Sequence, residues 1–274
     1  GRAYVLKFKT KKITIGRDCR ISSPKLFEAL VRGVTDQGCD VLDIGLVSTP
    51  MMYFSVWKFK HDGGIVITAS HNPPKYNGLK MVREDSIPIG GETGIYEIEE
   101  MIKDLPSELP EKNGIVADFN VFDPYLEHIT NYMDLTKLKK FNIAIDTANG
   151  MAGPIAAVFF DKLDCDLIHM YPVLDGNFPN HEANPLKEEN VEDLKKIVIE
   201  KKCDIGIAFD GDSDRCSFVD EKGQIVPSDY VIALVAKEML KEHKGKTILY
   251  DVRCSRIVGK VIKDNGGKTG RCPV

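Results

Sequence analysis

The stretch Ile143–Pro154 reads IAIDTANGMAGP and has the organisation that decides the fold. An apolar run is followed by a polar loop that contains aspartate, and a segment with proline then predicts the start of a helix. Two further stretches repeat this order, Ile13–Pro24 (ITIGRDCRISSP) and Ile248–Gly259 (ILYDVRCSRIVG). Three restarts of strand, loop and helix predict repeated α/β domains, although the same order is common to all doubly wound folds.

The three restarts lead to an expected division of the chain into domains. We expect a mixed-sheet α/β domain over residues 1–136, a second over 137–245, and the truncated start of a third over 246–274. The charged segment 136–140 is typical of a linker, and the acidic stretch 83–113 is expected to be loose. Because the third unit stops soon after it begins, the chain is expected to be a fragment of a longer protein.

Local signals predict individual elements between these restarts. Ser23 and Pro24 predict a helix with a capping serine, and Thr49 with Pro50 predicts another helix through Trp57. Apolar runs predict strands at 41–44, 64–68, 142–145, 165–170, 204–209 and 247–250. Helical spacing predicts further helices at 123–132, from 154, at 191–201 and at 256–263.

The composition excludes several classes of protein. With 43% hydrophobic and 28% charged residues, the chain of 274 residues is typical of globular proteins rather than of disordered or fibrous ones. A net charge of −4 with scattered basic residues gives no reason to expect nucleic-acid binding. No apolar run is long enough to span a bilayer, and the N-terminus lacks a signal-peptide pattern. Seven dispersed cysteines without a CxxC pair argue against disulfides and structural zinc, so a cytoplasmic protein is expected.

Residues 68–80 read TASHNPPKYNGLK and directly follow a predicted strand. Loops beyond the carboxyl ends of strands are where α/β proteins bind ligands, so the hydroxyl of Ser70 is expected to be exposed there. The glycine turn at Asn77 and Gly78 returns Lys80 towards the serine, and a lysine cation suits a serine that carries a phosphate. Serine, asparagine and proline also form ordinary turns, so this segment alone leaves that alternative open.

Residues 210–215 read DGDSDR, again directly after an apolar strand. Three carboxylates at alternate positions converge if the loop curls around Gly211, and their repulsion then favours an oxygen-bound cation, Mg²⁺ or Ca²⁺. A solvated acidic turn is the alternative. A calcium EF-hand is excluded because Arg215 occupies the position of its required glycine and a strand precedes the loop. A serine that can carry a phosphate and a metal site that can hold it together indicate phosphoryl transfer.

On these two motifs the chain resembles the α-D-phosphohexomutase family, most of all its phosphomannomutase/phosphoglucomutase members. Three further stretches support the likeness, GRDCR at 16–20, DGNFPNHEANP at 175–185 and DVRCSR at 251–256. The likeness extends over essentially the whole chain and implies a phosphohexomutase fold whose first three domains share one α/β architecture. The family's opening YDIRG motif, a lysine often found near Pro273 and its fourth domain are absent, so we expect the N-terminal part of such a protein.

The resemblance also implies roles for single residues and a reaction. The catalytic residues that it implies are Ser70, His71, Lys80 and Arg215. The metal ligands that it implies are Ser70, through its phosphate, with Asp210, Asp212 and Asp214. Phosphoserine 70 would donate to a free hydroxyl of mannose or glucose phosphate, and the bisphosphate intermediate would return its other phosphate, so that the group moves between positions 1 and 6. The implied cofactor is one Mg²⁺ per chain, the activator a hexose 1,6-bisphosphate, and the partner a small-molecule hexose phosphate.

Several alternatives stay open. The chain could bind Mg²⁺ and phosphosugar without efficient catalysis, act on glucosamine phosphate, or be a calcium-stabilised structural domain. A serine hydrolase is disfavoured because the loop lacks the GxSxG elbow. Residues 175–185 are expected to form a structured turn, and Arg17 and Arg20 either face a phosphate or form salt bridges within their loop. Three helical aromatic residues are expected in the core, Tyr53, Phe54 and Trp57.

Overall fold

The computed structural model describes residues 1–135 and 139–272, so the predicted linker at 136–140 lies largely outside the described residues. Two five-stranded sheets and one two-stranded sheet, with helices packed on them, make up the described chain. Within these residues no helix is long and apolar enough to cross a membrane.

The first sheet is mixed and is built from residues 12–118. Its strands are β1 (Lys12–Arg17), β2 (Asp40–Leu46), β3 (Gly63–Ile67), β4 (Leu79–Arg83) and β5 (Val116–Asp118). Their order across the sheet is β4-β3-β1-β2-β5, and only β4 runs antiparallel to its neighbour. The helices of this part are α1 (Arg2–Phe8), α2 (Ser23–Thr35), α3 (Thr49–Phe59), α4 (Tyr96–Lys103) and α5 (Phe122–Thr130). Every residue of β3 is buried, as expected for a strand covered on both faces.

The second sheet repeats this plan in residues 141–226. Its strands are β6 (Phe141–Asp146), β7 (Cys165–Met170), β8 (Ile205–Phe209), β9 (Cys216–Asp220) and β10 (Ile225–Val226). Their order across the sheet is β10-β9-β8-β6-β7. Strand β6 lies between β7 and β8 and is parallel to both, and β9 pairs antiparallel with β8. The helices here are α6 (Ala152–Phe160) and α7 (Glu192–Lys201). The predicted repeat of mixed α/β units is therefore confirmed in the strand order itself.

A third unit begins with the parallel pair β11 (Thr247–Asp251) and β12 (Lys268–Cys272), joined by α9 (Arg256–Asp264). Helix α8 (Ser228–Glu242) packs with α9, and the apolar side chains of both helices form one cluster. Helix α8 therefore packs against the third unit, although the expected domain boundary between residues 245 and 246 assigns it to the second domain. The three domain ranges stay predictions.

Several local expectations need correction. The stretch 83–113 contains α4, preceded by a single 3₁₀ turn and a π-helical turn, and is therefore not uniformly loose. Ser23 is the first residue of α2 rather than its cap, because its hydroxyl donates instead to Asp18 at 2.6 Å. Phe54 is buried, as expected, but Trp57 is 45% exposed. Helical periodicity alone places Trp57 on the helix without showing which face the rest of the chain covers.

Candidate active site

The serine loop leaves the carboxyl end of β3 and turns sharply at Ser70. The Ser70 backbone is left-handed, with φ +53, and its N–H donates to Oγ1 of Thr68 at 2.9 Å. Left-handed geometry costs a residue other than glycine about 1 kcal/mol or more, so the surrounding contacts must stabilise it. The side chain is buried rather than exposed as expected, because its Oγ donates to Oδ2 of Asp210 at 2.7 Å.

The acidic loop leaves the carboxyl end of β8 and meets the serine loop from the second unit. Its curl is closed by two hydrogen bonds between its ends, since the Asp210 N–H donates to the Arg215 carbonyl and the Arg215 N–H donates to the side-chain Oδ1 of Asp210. A Cβ on Gly211 would lie 2.6 Å from the Ser70 carbonyl oxygen, so only glycine allows the two loops to approach this closely. The loops of the two motifs therefore form a single site.

The three predicted carboxylates converge as the sequence indicated. One oxygen from each of Asp210, Asp212 and Asp214 lies within 4.8 Å of the others. Two unit charges at that separation repel by about 3 kcal/mol at an effective dielectric near 20. Asp210 and Asp212 are fully buried, which adds a desolvation penalty to the repulsion. The cluster thus requires compensation by cations or protons.

Lys80 supplies part of that compensation. Its Nζ donates to Oδ2 of Asp212 at 2.6 Å and to Oδ2 of Asp214 at 2.5 Å. The lysine was expected to approach the serine; it lies on β4, opposite Val66 of β3, and its hydrogen bonds go to the carboxylates. Burial by itself lowers the pKa of Lys80, but the two carboxylates outweigh it and raise the pKa above its ordinary value.

The buried carboxylates differ in their affinity for protons. Burial and the charge of Asp212 raise the pKa of Asp210 to about 7. Burial would also raise the pKa of Asp212, but the charge and hydrogen bonds of Lys80 outweigh it and lower that pKa. Without a cation, Asp210 therefore takes up a proton at a higher pH than Asp212 does.

The donor set fits a hard divalent cation. All three groups offer oxygen, which Mg²⁺ and Ca²⁺ prefer. Oδ1 of Asp212 is buried and has no hydrogen-bond partner among the described residues. A buried carboxylate oxygen left without a partner is costly, and a metal ligand bond would satisfy it.

His71 and Arg215 line the exposed side of the serine. An N–H of Arg215 donates to Nδ1 of His71 at 2.8 Å, and that nitrogen lies 3.4 Å from Oγ of Ser70. Burial and the Arg215 cation lower the pKa of His71, so the ring is neutral near pH 7. All seven predicted site residues are thus brought together around one point, and what each of them does there stays a prediction.

The family is decided by two sequence models that match consecutive parts of the chain. Domain I of phosphoglucomutase/phosphomannomutase, described as an alpha/beta/alpha domain, matches residues 1–108, and domain II matches residues 123–223. The chain belongs to the phosphoglucomutase/phosphomannomutase family.

Relatives within this family are named for different sugars. A phosphomannomutase of Escherichia coli K12 is 40% identical over 97% of this chain and 60% of its own length. A phosphoglucomutase of Neisseria gonorrhoeae is 37% identical over 98% of this chain and 58% of its own length. The crystal structure of a phosphoglucomutase/phosphomannomutase family protein from Burkholderia thailandensis superposes with a TM-score of 0.90 at 34% identity, covering all of this chain and 61% of that one. The chain thus spans about 60% of the length of these relatives.

One polar contact of the candidate site was missed in the sequence analysis. Thr49 is fully buried; its hydroxyl donates to Oδ2 of Asp212 at 2.5 Å, and its N–H donates to the Asp212 carbonyl at 3.0 Å. The available signal was its position at the start of α3, just beyond the carboxyl end of β2, because β2 runs parallel to β1 and β3 and ends at the same edge of the sheet.

The loops around the candidate site are held by a salt bridge and by the segment 175–185. Arg20 pairs with Asp18 within its loop, as one interpretation expected, whereas Arg17 at the end of β1 pairs with Asp43 of the neighbouring strand β2. The segment 175–185 follows β7 and supports the acidic loop, because its Ala183 carbonyl accepts the Gly211 N–H at 3.2 Å. This geometry agrees with a structured turn.

Proposed function

We propose that the intact protein is an intramolecular phosphotransferase that moves a phosphoryl group between Ser70 and a hexose phosphate. The observation that carries the proposal is the 2.7 Å contact between Oγ of Ser70 and Asp210, which joins a serine on one domain to a carboxylate cluster on the next. A serine hydroxyl directed at a cation-binding cluster suits a phosphoryl carrier, because the cation and the phosphate compensate each other's charge. Family membership and the names of the relatives support the same reaction class.

The residues around Ser70 have different roles in the phosphoryl transfer. In the forward step the bond between phosphorus and Oγ of Ser70 breaks and a bond to the sugar hydroxyl oxygen forms; the sugar hydroxyl loses a proton and Oγ gains one. His71 is neutral and its Nδ1 lies 3.4 Å from Oγ, so once Arg215 turns its N–H to the phosphoryl oxygens this nitrogen can accept the sugar proton and pass it to Oγ. Arg215 lies beside the histidine and can bind oxygens of the phosphoryl group.

The carboxylate cluster is proposed to hold Mg²⁺, with Asp210, Asp212, Asp214 and the Ser70 phosphate as ligands. When bound, the cation neutralises charge on the phosphoryl oxygens. Lys80 keeps Asp212 ionised, and its two hydrogen bonds hold the carboxylates of Asp212 and Asp214 in place. A hexose 1,6-bisphosphate is the proposed intermediate and activator, since it can phosphorylate Ser70 from either end.

Mannose and glucose phosphates are the proposed substrates, in keeping with the names of the relatives. The alternative is that this chain alone binds Mg²⁺ and phosphosugar without efficient turnover. The observation that favours the alternative is that the chain spans about 60% of the length of its relatives. A glucosamine phosphate is a second alternative for the sugar.

The proposal is tested by intact mass and phosphosite mapping before and after incubation with glucose 1,6-bisphosphate and Mg²⁺. We expect the gain of one phosphoryl group at Ser70, its absence in Ser70→Ala, and an unchanged gain in Ser107→Ala, which removes an exposed serine outside the site. Metal binding without any phosphoserine in this chain would favour the binding alternative. Failure of a full-length version to take up phosphate at Ser70 would overturn the mutase proposal.

A further inference from the structure

Arg20 is a fully buried arginine at the edge of the site, and every N–H of its guanidinium group has an acceptor. Its side chain is 0% exposed, which is rare for arginine unless its charge is paired. Nε donates to Oδ2 of Asp18 at 3.1 Å. The four other N–H groups donate to backbone carbonyls, those of Ser70 at 2.8 Å, Asn72 at 2.7 Å, Pro73 at 2.8 Å and Tyr76 at 3.1 Å.

All four of these carbonyls belong to the serine loop. Only a planar group with five donors can bind so many acceptors at once; a lysine in this position has three donors on one nitrogen. The arginine therefore acts as a template that sets the path of the chain from Ser70 to Tyr76. Hydrogen bonds that involve a charged group are stronger than those between neutral groups, and four of them together can stabilise a locally strained loop.

The strained residue in the loop is Ser70 itself. Its carbonyl accepts from Arg20 on one side and contacts Gly211 of the acidic loop on the other. Fixing this carbonyl fixes the peptide plane next to the left-handed Cα, and hence the direction in which Oγ projects. The Oγ direction is the one that brings it to 2.7 Å from Asp210.

The guanidinium is held in turn by both domains. Asp18 accepts from Arg20 through one oxygen and from the Ser23 hydroxyl and the Arg20 N–H through the other. The ring of Phe178, from the segment 175–185 of the second unit, lies 5.0 Å from Cζ of Arg20, within the range of a cation–π contact. The contacts of Arg20 thus couple the serine loop to the relative position of the two domains.

We propose that Arg20 is the positioning residue of the phosphoryl-transfer reaction, which holds Ser70 in the left-handed geometry that directs its hydroxyl at the carboxylate cluster. The inference rests on the proposed function and deepens it. Arg20 has no hydrogen bond to the carboxylates of Asp210, Asp212 or Asp214 in the described chain, so it acts through the loop backbone alone. Its loss is expected to slow phosphoryl transfer while leaving metal binding unchanged.

The test compares Arg20→Lys with the matched control Arg17→Lys. Arg17 leaves the same strand, pairs with Asp43 and lies over the ring of Phe27, without a hydrogen bond to the serine loop. Three quantities are measured on each folded variant: amide hydrogen exchange of residues 68–80, the rate of Ser70 phosphorylation by glucose 1,6-bisphosphate, and Mn²⁺ affinity by electron paramagnetic resonance.

In Arg20→Lys we expect faster exchange confined to residues 68–80, phosphorylation slower by about 100-fold, and unchanged Mn²⁺ affinity, because misplacement by about 1 Å can cost that much in rate. Arg17→Lys is expected to match the wild type in all three. Unchanged exchange in residues 68–80, or a lower melting temperature with an unchanged phosphorylation rate per folded molecule, would overturn the proposal.

The test distinguishes failure of the proposed function from failure of the proposed role of Arg20. If the wild-type chain takes up no phosphate, the proposed function fails, and the exchange comparison alone then decides whether Arg20 holds the loop. If Arg20→Lys does not fold, Phe178→Leu takes its place, since it removes the ring beside the guanidinium and leaves the hydrogen bonds. This variant is expected to increase exchange in residues 68–80 by a smaller factor, and wild-type exchange there would overturn the proposal.

Discussion

The carboxylate cluster is predicted to make the metal-free protein less stable as the pH rises, and Asp210 is the residue responsible. Its folded-state pKa of about 7 lies well above the ordinary 3.8. A carboxyl group with a raised folded pKa contributes stability that is complete below the unfolded value and is lost as the pH rises through the folded value. The loss therefore falls between about pH 4 and pH 7.

The size of the effect follows from the shift. About three pKa units, at about 1.4 kcal/mol each, make a total of about 4 kcal/mol, of which about 3 kcal/mol falls between pH 5 and pH 8. Replacing Asp210 by asparagine removes this titration and keeps the shape of the group. The asparagine oxygen can accept from the Arg215 N–H, and its amide can donate to Oγ of Ser70, which match the present contacts.

The assay is urea unfolding followed by circular dichroism at pH 5 and pH 8 with a chelator present. The wild type is expected to lose about 3 kcal/mol more than Asp210→Asn over this range. The control is Asp220→Asn, a turn carboxylate that accepts backbone N–H groups of Lys222 and Gln224 outside the cluster, and it is expected to keep the wild-type slope. Saturating Mg²⁺ is expected to flatten the wild-type slope, because the cation replaces the proton. Equal slopes in wild type and Asp210→Asn would refute the reasoning.

Three further substitutions test single contacts. Thr49→Val removes the hydroxyl bonded to Asp212 and is expected to destabilise by about 2 kcal/mol and to weaken Mn²⁺ binding, with Thr49→Ser restoring both; thermal unfolding and a metal titration measure this. Lys80→Met leaves two carboxylates without their cation and is expected to cost about 3 kcal/mol in a chelator, most of it recovered in Mg²⁺; an unfolding midpoint insensitive to Mg²⁺ would contradict this. Tyr4→Phe removes a buried bond to the Val82 carbonyl, and urea unfolding should show a loss of about 1 kcal/mol with Ser70 phosphorylation unchanged.

Much of the fold could be predicted because its signals are local. The strands β6, β7 and β8 and the helix α7 lie within a residue or two of their predicted bounds, since apolar runs and helical spacing depend on neighbouring residues. Five strands were missed, β4, β5, β9, β10 and β12; in β5 and β10 the reason is that two or three residues carry no periodicity. Helix α8 was missed despite its length.

The site shows the same division between local and distant information. It could be predicted that Ser70 and the three aspartates belong to the site, because each motif is a continuous stretch that follows a strand. The partner of Lys80 could not: the glycine turn returns it towards the serine, but only the approach of the second domain brings Asp212 and Asp214 to its Nζ. Arg20 was recognised as a residue of a salt-bridged loop or a phosphate site, without any indication that it binds the serine loop.

The sequence by itself determined the repeated α/β architecture, the two chemical motifs and the carboxylate set, because residue chemistry and spacing are properties of short segments. Only the tertiary structure decided that Ser70 is buried against Asp210, that Thr49 holds Asp212, and that Arg20 fixes the loop. The first two contacts join residues 140 and 163 positions apart. Such contacts depend on strand order and on how two domains pack, which sum weak interactions over the whole chain, so no short stretch of sequence can determine them.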